Sequence, residues 1–130
     1  MIDHITLLVS DYERAKVFYL RALEPLEYAL VIELTREQIP GLPFEKGCGL
    51  GVEGKPDLWI RPGTEIAPTH LAFRANSPEA VRAFYEAAMS AGAKDNGPPG
   101  LREQYHPSYY GAFVLDPDGY NIEAVCHDAE

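Results

Sequence analysis

Three side chains of this 130-residue sequence combine ligand chemistry with a regular spacing: His4, His70 and Glu123. The two histidines are 66 positions apart, and the same offset carries Phe18-Tyr19 onto Phe84-Tyr85 and Ala22 onto Ala88, which marks an internal repeat. Strand alternation sets His4 opposite Ile5, Leu7 and Val9, His70 opposite Leu71 and Phe73, and Glu123 opposite Ile122 and Ala124. If a helix covers the apolar face of each half, all three polar side chains turn to one concave inner surface. Two imidazoles and a carboxylate there form a ligand set for a divalent metal with open positions: iron(II), manganese, nickel, cobalt or zinc. Each residue alone has a plainer explanation, a hydrogen-bonded histidine or a surface charge. The repeat joins them, because it puts the same residue type at the same point of two related strands.

The elements that must position these residues follow from the pattern. Residues 2–9 alternate as a strand. Ser10-Asp11 offers a helix N-cap, and Ala15, Phe18, Tyr19, Ala22 and Leu23 recur at helical spacing until Pro25. Three short apolar runs follow, residues 28–34, 47–52 and 58–60, separated by glycine- and proline-containing segments, and they read as antiparallel strands. The second half repeats the order. Residues 69–75 form a strand, Ser77 caps a helix with Pro78 at its first position, and Gly92 ends it. Residues 94–100 are too rich in glycine and proline to be regular, and 101–105 suit a short exposed strand. Residues 110–115 and 121–126 form a hairpin around Asp116-Pro117-Asp118-Gly119. Each half therefore reads strand, helix, strand, strand, strand. The expectation is one α+β domain, with module one at 1–62, a linker at 63–68 and module two at 69–127.

Composition narrows the partners. A net charge of −9, from 20 acidic and 11 basic residues, opposes binding to phosphate backbones and anionic membranes, so neither nucleic acid nor membrane is expected. There is no apolar run of spanning length and no basic region followed by a hydrophobic leader at the N-terminus. Cys48 and Cys126 lack ligand-type spacing and read as buried thiols of a cytoplasmic protein.

The stretches His4-Ile5-Thr6-Leu7-Leu8-Val9-Ser10-Asp11, His70-Leu71-Ala72-Phe73 and Asp116-Pro117-Asp118-Gly119-Tyr120-Asn121-Ile122-Glu123 resemble the vicinal oxygen chelate superfamily. That superfamily includes glyoxalase I, extradiol dioxygenases, methylmalonyl-CoA epimerase, and the fosfomycin and bleomycin resistance proteins. The resemblance covers nearly the whole chain and is most specific in the last stretch. It implies two βαβββ modules whose mixed sheets curl around a central cavity with the helices outside, and a homodimer. By position, it implies that His4, His70 and Glu123 are metal ligands on the first, fifth and eighth strands. Relatives similar to glyoxalase I use a fourth ligand on the fourth strand, but that strand here reads Asp57-Leu58-Trp59-Ile60-Arg61, with Trp59 in the ligand's place. Three ligands leave room for a small-molecule substrate to chelate through vicinal oxygens, as in extradiol dioxygenases.

Glu123 is itself a candidate base, and Tyr105, His106, Tyr109 and Tyr110 are further acid–base candidates that also read as a tyrosine-rich pocket wall. Trp59 suits stacking on a flat ligand, while Arg74 and Arg61 have the parity to meet a substrate carboxylate or phosphate. His127 follows Glu123 on the same parity, roughly 13 Å along the strand, which puts it near the rim. The reading is a metal-dependent lyase, isomerase or dioxygenase. The alternative is a metal-free drug-binding module of the bleomycin-resistance type, whose acidic charge would favour cationic ligands.

Overall fold

The computed structural model describes residues 1–128, and its two halves build two separate four-to-five-stranded mixed sheets. In the first half β1 (Ile5–Val9) leads into α1 (Tyr12–Ala22), a short 3-10 turn (Glu24–Leu26), then β2 (Ala29–Thr35), β3 (Lys46–Val52) and β4 (Lys55–Pro62). In the second, β5 (His70–Arg74) leads into α2 (Pro78–Ser90), then β6 (Lys94–Asp95), β7 (Gly100–Leu101), β8 (Tyr110–Leu115) and β9 (Asn121–Cys126). The sheet orders are β1-β4-β3-β2 and β5-β9-β8-β6, with β7 also on β8. In each half the first strand runs parallel to the last, and the remaining pairs are antiparallel. This is the expected α+β fold. The counterpart of β2 is split into two two-residue pieces because Gly97, Pro98 and Pro99 interrupt it, so Glu123 lies on the ninth strand rather than the eighth. Strand β1 begins at Ile5, which leaves His4 one residue outside it.

Both helices start as their sequences dictate: Asp11 accepts from the Arg14 N–H, and Ser77 accepts from the Ala80 N–H with Pro78 in the first turn. Gly92 follows α2 at φ +106°, the left-handed conformation that ends helices. The repeat is visible in the packing. Ala15, Phe18 and Ala22 of α1 and Val81, Phe84 and Ala88 of α2 are all buried at the 66-residue offset, and α1 packs on α2 within one continuous core. Tyr19 and Tyr85 diverge. Tyr19 is fully buried and donates to Asp116, whereas the hydroxyl of Tyr85 reaches Asp95 at the surface.

The Asp116–Tyr120 turn ties the two halves together. Asp116 accepts from the Tyr19 hydroxyl and from the N–H groups of Asp118 and Tyr120. Asp118 accepts from both the N–H and the hydroxyl of Ser10, and the Tyr120 hydroxyl donates to the Leu8 carbonyl. Gly119, at φ +87°, makes the turn possible.

The register of β3 on β4 shifts between Leu50 and Gly51, where a Cβ on Gly51 would lie 1.7 Å from the Lys55 carbonyl oxygen. Gly51→Ala is therefore expected to destabilise the protein by about 2 kcal/mol in urea unfolding, as overpacking does.

Candidate functional site

Parallel pairing of β5 with β9 sets His70 beside Asn121 and Ala72 beside Glu123, so the two candidate ligands lie two residues apart on one face. Their side chains meet: His70 Nε2 is 3.0 Å from Glu123 Oε1. The other carboxylate oxygen accepts from the Tyr109 hydroxyl. Glu123 is only 1% exposed, yet among the described residues it has no lysine or arginine partner. Burial, followed by the bond to Glu123, pushes the Tyr109 phenol well above its ordinary range, so it remains a hydrogen-bond donor at neutral pH.

Around this pair lies an open cavity of about 510 Å³ lined by His70, Tyr105, His106, Tyr109, Phe113 and Glu123. Phe113 stands directly across from Glu123 in the β8–β9 ladder, with its ring centroid 6.1 Å from that of His70 and 5.4 Å from the Arg102 guanidinium. Gly111 matters for a different reason. A Cβ there would lie 3.3 Å from both Glu123 Oε2 and the Tyr109 ring, so glycine leaves room for their hydrogen bond. Sequence reasoning missed Phe113 and Gly111, although both have the strand parity of residues facing Glu123.

His4 is elsewhere. It is exposed, its Nδ1 lies 2.7 Å from Asp3 Oδ1, and it borders a cavity of about 290 Å³ on the first sheet with Thr6, Phe44, Trp59 and Arg61. Thr6 pairs with Trp59 as Ala72 pairs with Glu123, so Trp59 holds in the first half the place that Glu123 holds in the second. The Trp59 ring lies against β3 at Gly49, and the Arg61 guanidinium covers Phe44 at 5.3 Å. The chain thus presents two separate candidate clusters, one in each half. One carries His4, Trp59 and Arg61, the other His70, Glu123 and Tyr109. No group of three or more metal-ligating side chains forms among the described residues.

Two expected site residues lie away from both clusters. Tyr110, next to Tyr109 and so of opposite strand parity, turns toward α2, where its hydroxyl accepts from Arg82. Arg74, at the end of β5, borders a cleft of about 520 Å³ between the two sheets together with Tyr28, Asp57 and Phe73. His127 sits at the rim beside His106.

The family model described as the glyoxalase/bleomycin resistance protein/dioxygenase superfamily matches residues 36–124. The chain belongs to this superfamily. Among solved structures, a glyoxalase/bleomycin resistance protein from Albidiferax ferrireducens is 27% identical with a TM-score of 0.72, over 95% of this chain and 96% of that one. A glutamate-to-glutamine variant of the fosfomycin resistance protein FosX from Listeria monocytogenes, complexed with Mn(II) and 1S,2S-dihydroxypropylphosphonic acid, is 20% identical with a TM-score of 0.67, over 95% and 87%. TioX from a Micromonospora species is 15% identical with a TM-score of 0.70, over 98% of both chains. The two lower identities speak for the fold alone. Among curated proteins no relative matches the chain. No described helix of this superfamily member is long and apolar enough to cross a membrane.

Proposed function

We propose that the protein is a divalent-metal-dependent enzyme of the glyoxalase/dioxygenase type whose small-molecule substrate binds through two neighbouring oxygens. The observation that carries this reading is Glu123. A carboxylate withdrawn from water is costly unless a cation or full hydrogen bonding compensates it, and its partners here are one imidazole and one phenol. His70 Nε2 and Glu123 Oε1 suit iron(II), manganese, nickel, cobalt or zinc, and an ion held there supplies Lewis acidity toward a chelating ligand.

His4 is the third ligand in this reading, and it comes from a second copy. In a twofold dimer, module one (1–62) of one chain faces module two (69–127) of its partner, and this happens twice by symmetry. Apart from the Tyr120 bond to the Leu8 carbonyl, the outer edges of β1 and β5 have no strand partner among the described residues, which leaves both sheets open to such an arrangement. The Glu123 carboxylate and the Tyr109 hydroxyl are then the proton acceptor and donor beside the ligand, and Trp59 with Phe113 forms an aromatic wall. The setting proposed is cytoplasmic, in keeping with two buried free cysteines.

The test is elemental analysis of tag-free protein purified without chelator. About one ion per chain is expected for the wild type, with loss of most of it in His70→Ala and Glu123→Gln while the circular dichroism spectrum holds. If the wild type takes up none of the five ions, the metal-free binding module replaces this reading. The aromatic lining of Tyr105, Tyr109 and Phe113 would then hold the ligand.

A further inference from the structure

We propose that His106 and His127 form a proton-released latch that holds the 102–109 segment, and with it Tyr109, over Glu123. His106 Nε2 lies 2.8 Å from His127 Nδ1, with ring centroids 5.1 Å apart and ring planes inclined by 25°. The rings meet nitrogen to nitrogen, end to end, which is hydrogen-bond geometry rather than the convergence of two lone pairs on one ion. The Ser108 N–H donates to His106 Nδ1 at 3.1 Å. That bond fixes the protons of both rings. His106 Nδ1 accepts, so Nε2 carries the hydrogen and donates to His127 Nδ1, which leaves the His127 hydrogen on its Nε2.

The segment these rings secure is otherwise held largely by its own turns. Arg102 and Tyr109 pair through the Arg102 N–H at 2.8 Å, the Tyr105 N–H reaches the Arg102 carbonyl, and the Tyr109 N–H reaches the His106 carbonyl. Tyr109 packs edge-on against both imidazoles, with centroids 5.4 Å from His106 and 5.3 Å from His127, and Tyr105 lies 4.9 Å from it. The latch thus positions the phenol that donates to Glu123. It needs no metal and is independent of the function proposed above.

Both rings must be neutral for the whole set of bonds. A proton on His106 Nδ1 faces the Ser108 N–H, and a proton on His127 Nδ1 faces the His106 N–H. Two protons leave two cations end to end. The other titratable and charged groups around the pair are Arg102, Glu103, Tyr105 and Tyr109 on the segment, with Glu123 and His70 beyond Tyr109 in the same cavity and Asp128 next to His127. Among the described residues no carboxylate lies within ion-pair distance of either ring to offset the charge. Each added proton therefore removes a hydrogen bond from the closed segment, and closure weakens as the solution is acidified.

Amide hydrogen exchange at Arg102, corrected for intrinsic rates, reads closure directly. Between about pH 8 and about pH 5, wild-type protection is expected to fall about fivefold for each hydrogen bond that an added proton removes. His127→Asn keeps an acceptor near the Nδ1 position that takes no proton, so it should lose much less protection over the same range. His127→Phe keeps the ring but no acceptor, and should be poorly protected at both pH values. Long-range proton–nitrogen spectra should show both rings as the Nε2–H tautomer at pH 8. Equal wild-type protection at the two pH values, a His127→Phe chain as protected as wild type at pH 8, or an Nδ1–H tautomer on either ring overturns the latch.

Discussion

Co-expressed with a His4→Ala chain, a Glu123→Gln chain is expected to recover metal that neither variant binds alone. In a dimer whose sites each take His4 from one copy and His70 with Glu123 from the other, a mixed pair has one site lacking both ligands and one site intact. Random pairing makes about half of the dimers mixed, so about a quarter of all sites should fill. A mixture of His70→Ala and Glu123→Gln is the control. Those ligands share one sheet and touch each other, so no pairing of copies reunites an intact set. If both mixtures stay empty while the wild type fills, the site does not use the partner's His4. If His4→Ala alone binds as wild type does, His4 is not a ligand.

The largest effect on stability should come from Asp116→Ala, at about 4 kcal/mol in urea unfolding, because it leaves buried hydrogen-bonding groups without partners. The Tyr19 hydroxyl, fully enclosed, loses its acceptor, and the N–H groups of Asp118 and Tyr120 lose theirs. Asp116→Asn should cost less, since an amide oxygen still serves the two N–H groups. Burial is the leading influence on the Asp116 carboxyl and raises its pKa, against the hydrogen bonds from Tyr19 and the turn. The sign is unusual for a carboxylate. A raised folded-state pKa means that the native state binds more protons than the unfolded one, so the contribution of Asp116 grows as the solution is acidified and fades as pH rises through that pKa. In Asp116→Asn this pH dependence should disappear, while the rest of the stability profile remains.

The fold was largely legible because the repeat and the alternation are strong signals. His4 with His70, Phe18 with Phe84 and the glycine-ended second helix set the order of elements, and the β5–β9 register puts His70 and Glu123 on the same face as parity required. What could not be read concerns relations between elements. Parity says which face a residue takes, but not which sheet that face will meet, and so it could not tell that His4 and His70 border different cavities in one chain. Tyr109 and Tyr110 looked equivalent as a cluster until strand β8 fixed one toward Glu123 and the other toward α2. The Asp116–Tyr120 turn was legible as a turn. Its three links to the first half, to Tyr19, Ser10 and Leu8, carry no local pattern.

Strand β3 alternates between buried side chains and bare backbone: Cys48 and Leu50 enter the core, while Gly47, Gly49 and Gly51 face the other way. A Cβ at Gly49 would lie 3.0 Å from the Trp59 ring, and one at Gly47 would lie 2.7 Å from the Phe44 ring. The aromatic floor of the hollow on the first sheet therefore rests in recesses that missing methyl groups create. The width of this hollow is set one residue away from the side chains that line it. A methyl group at position 49 would press on the indole and on Pro56 and make the hollow shallower, although Gly49 itself does not line it. The depth of the hollow can thus change in β3 while His4, Thr6 and Arg61 stay as they are.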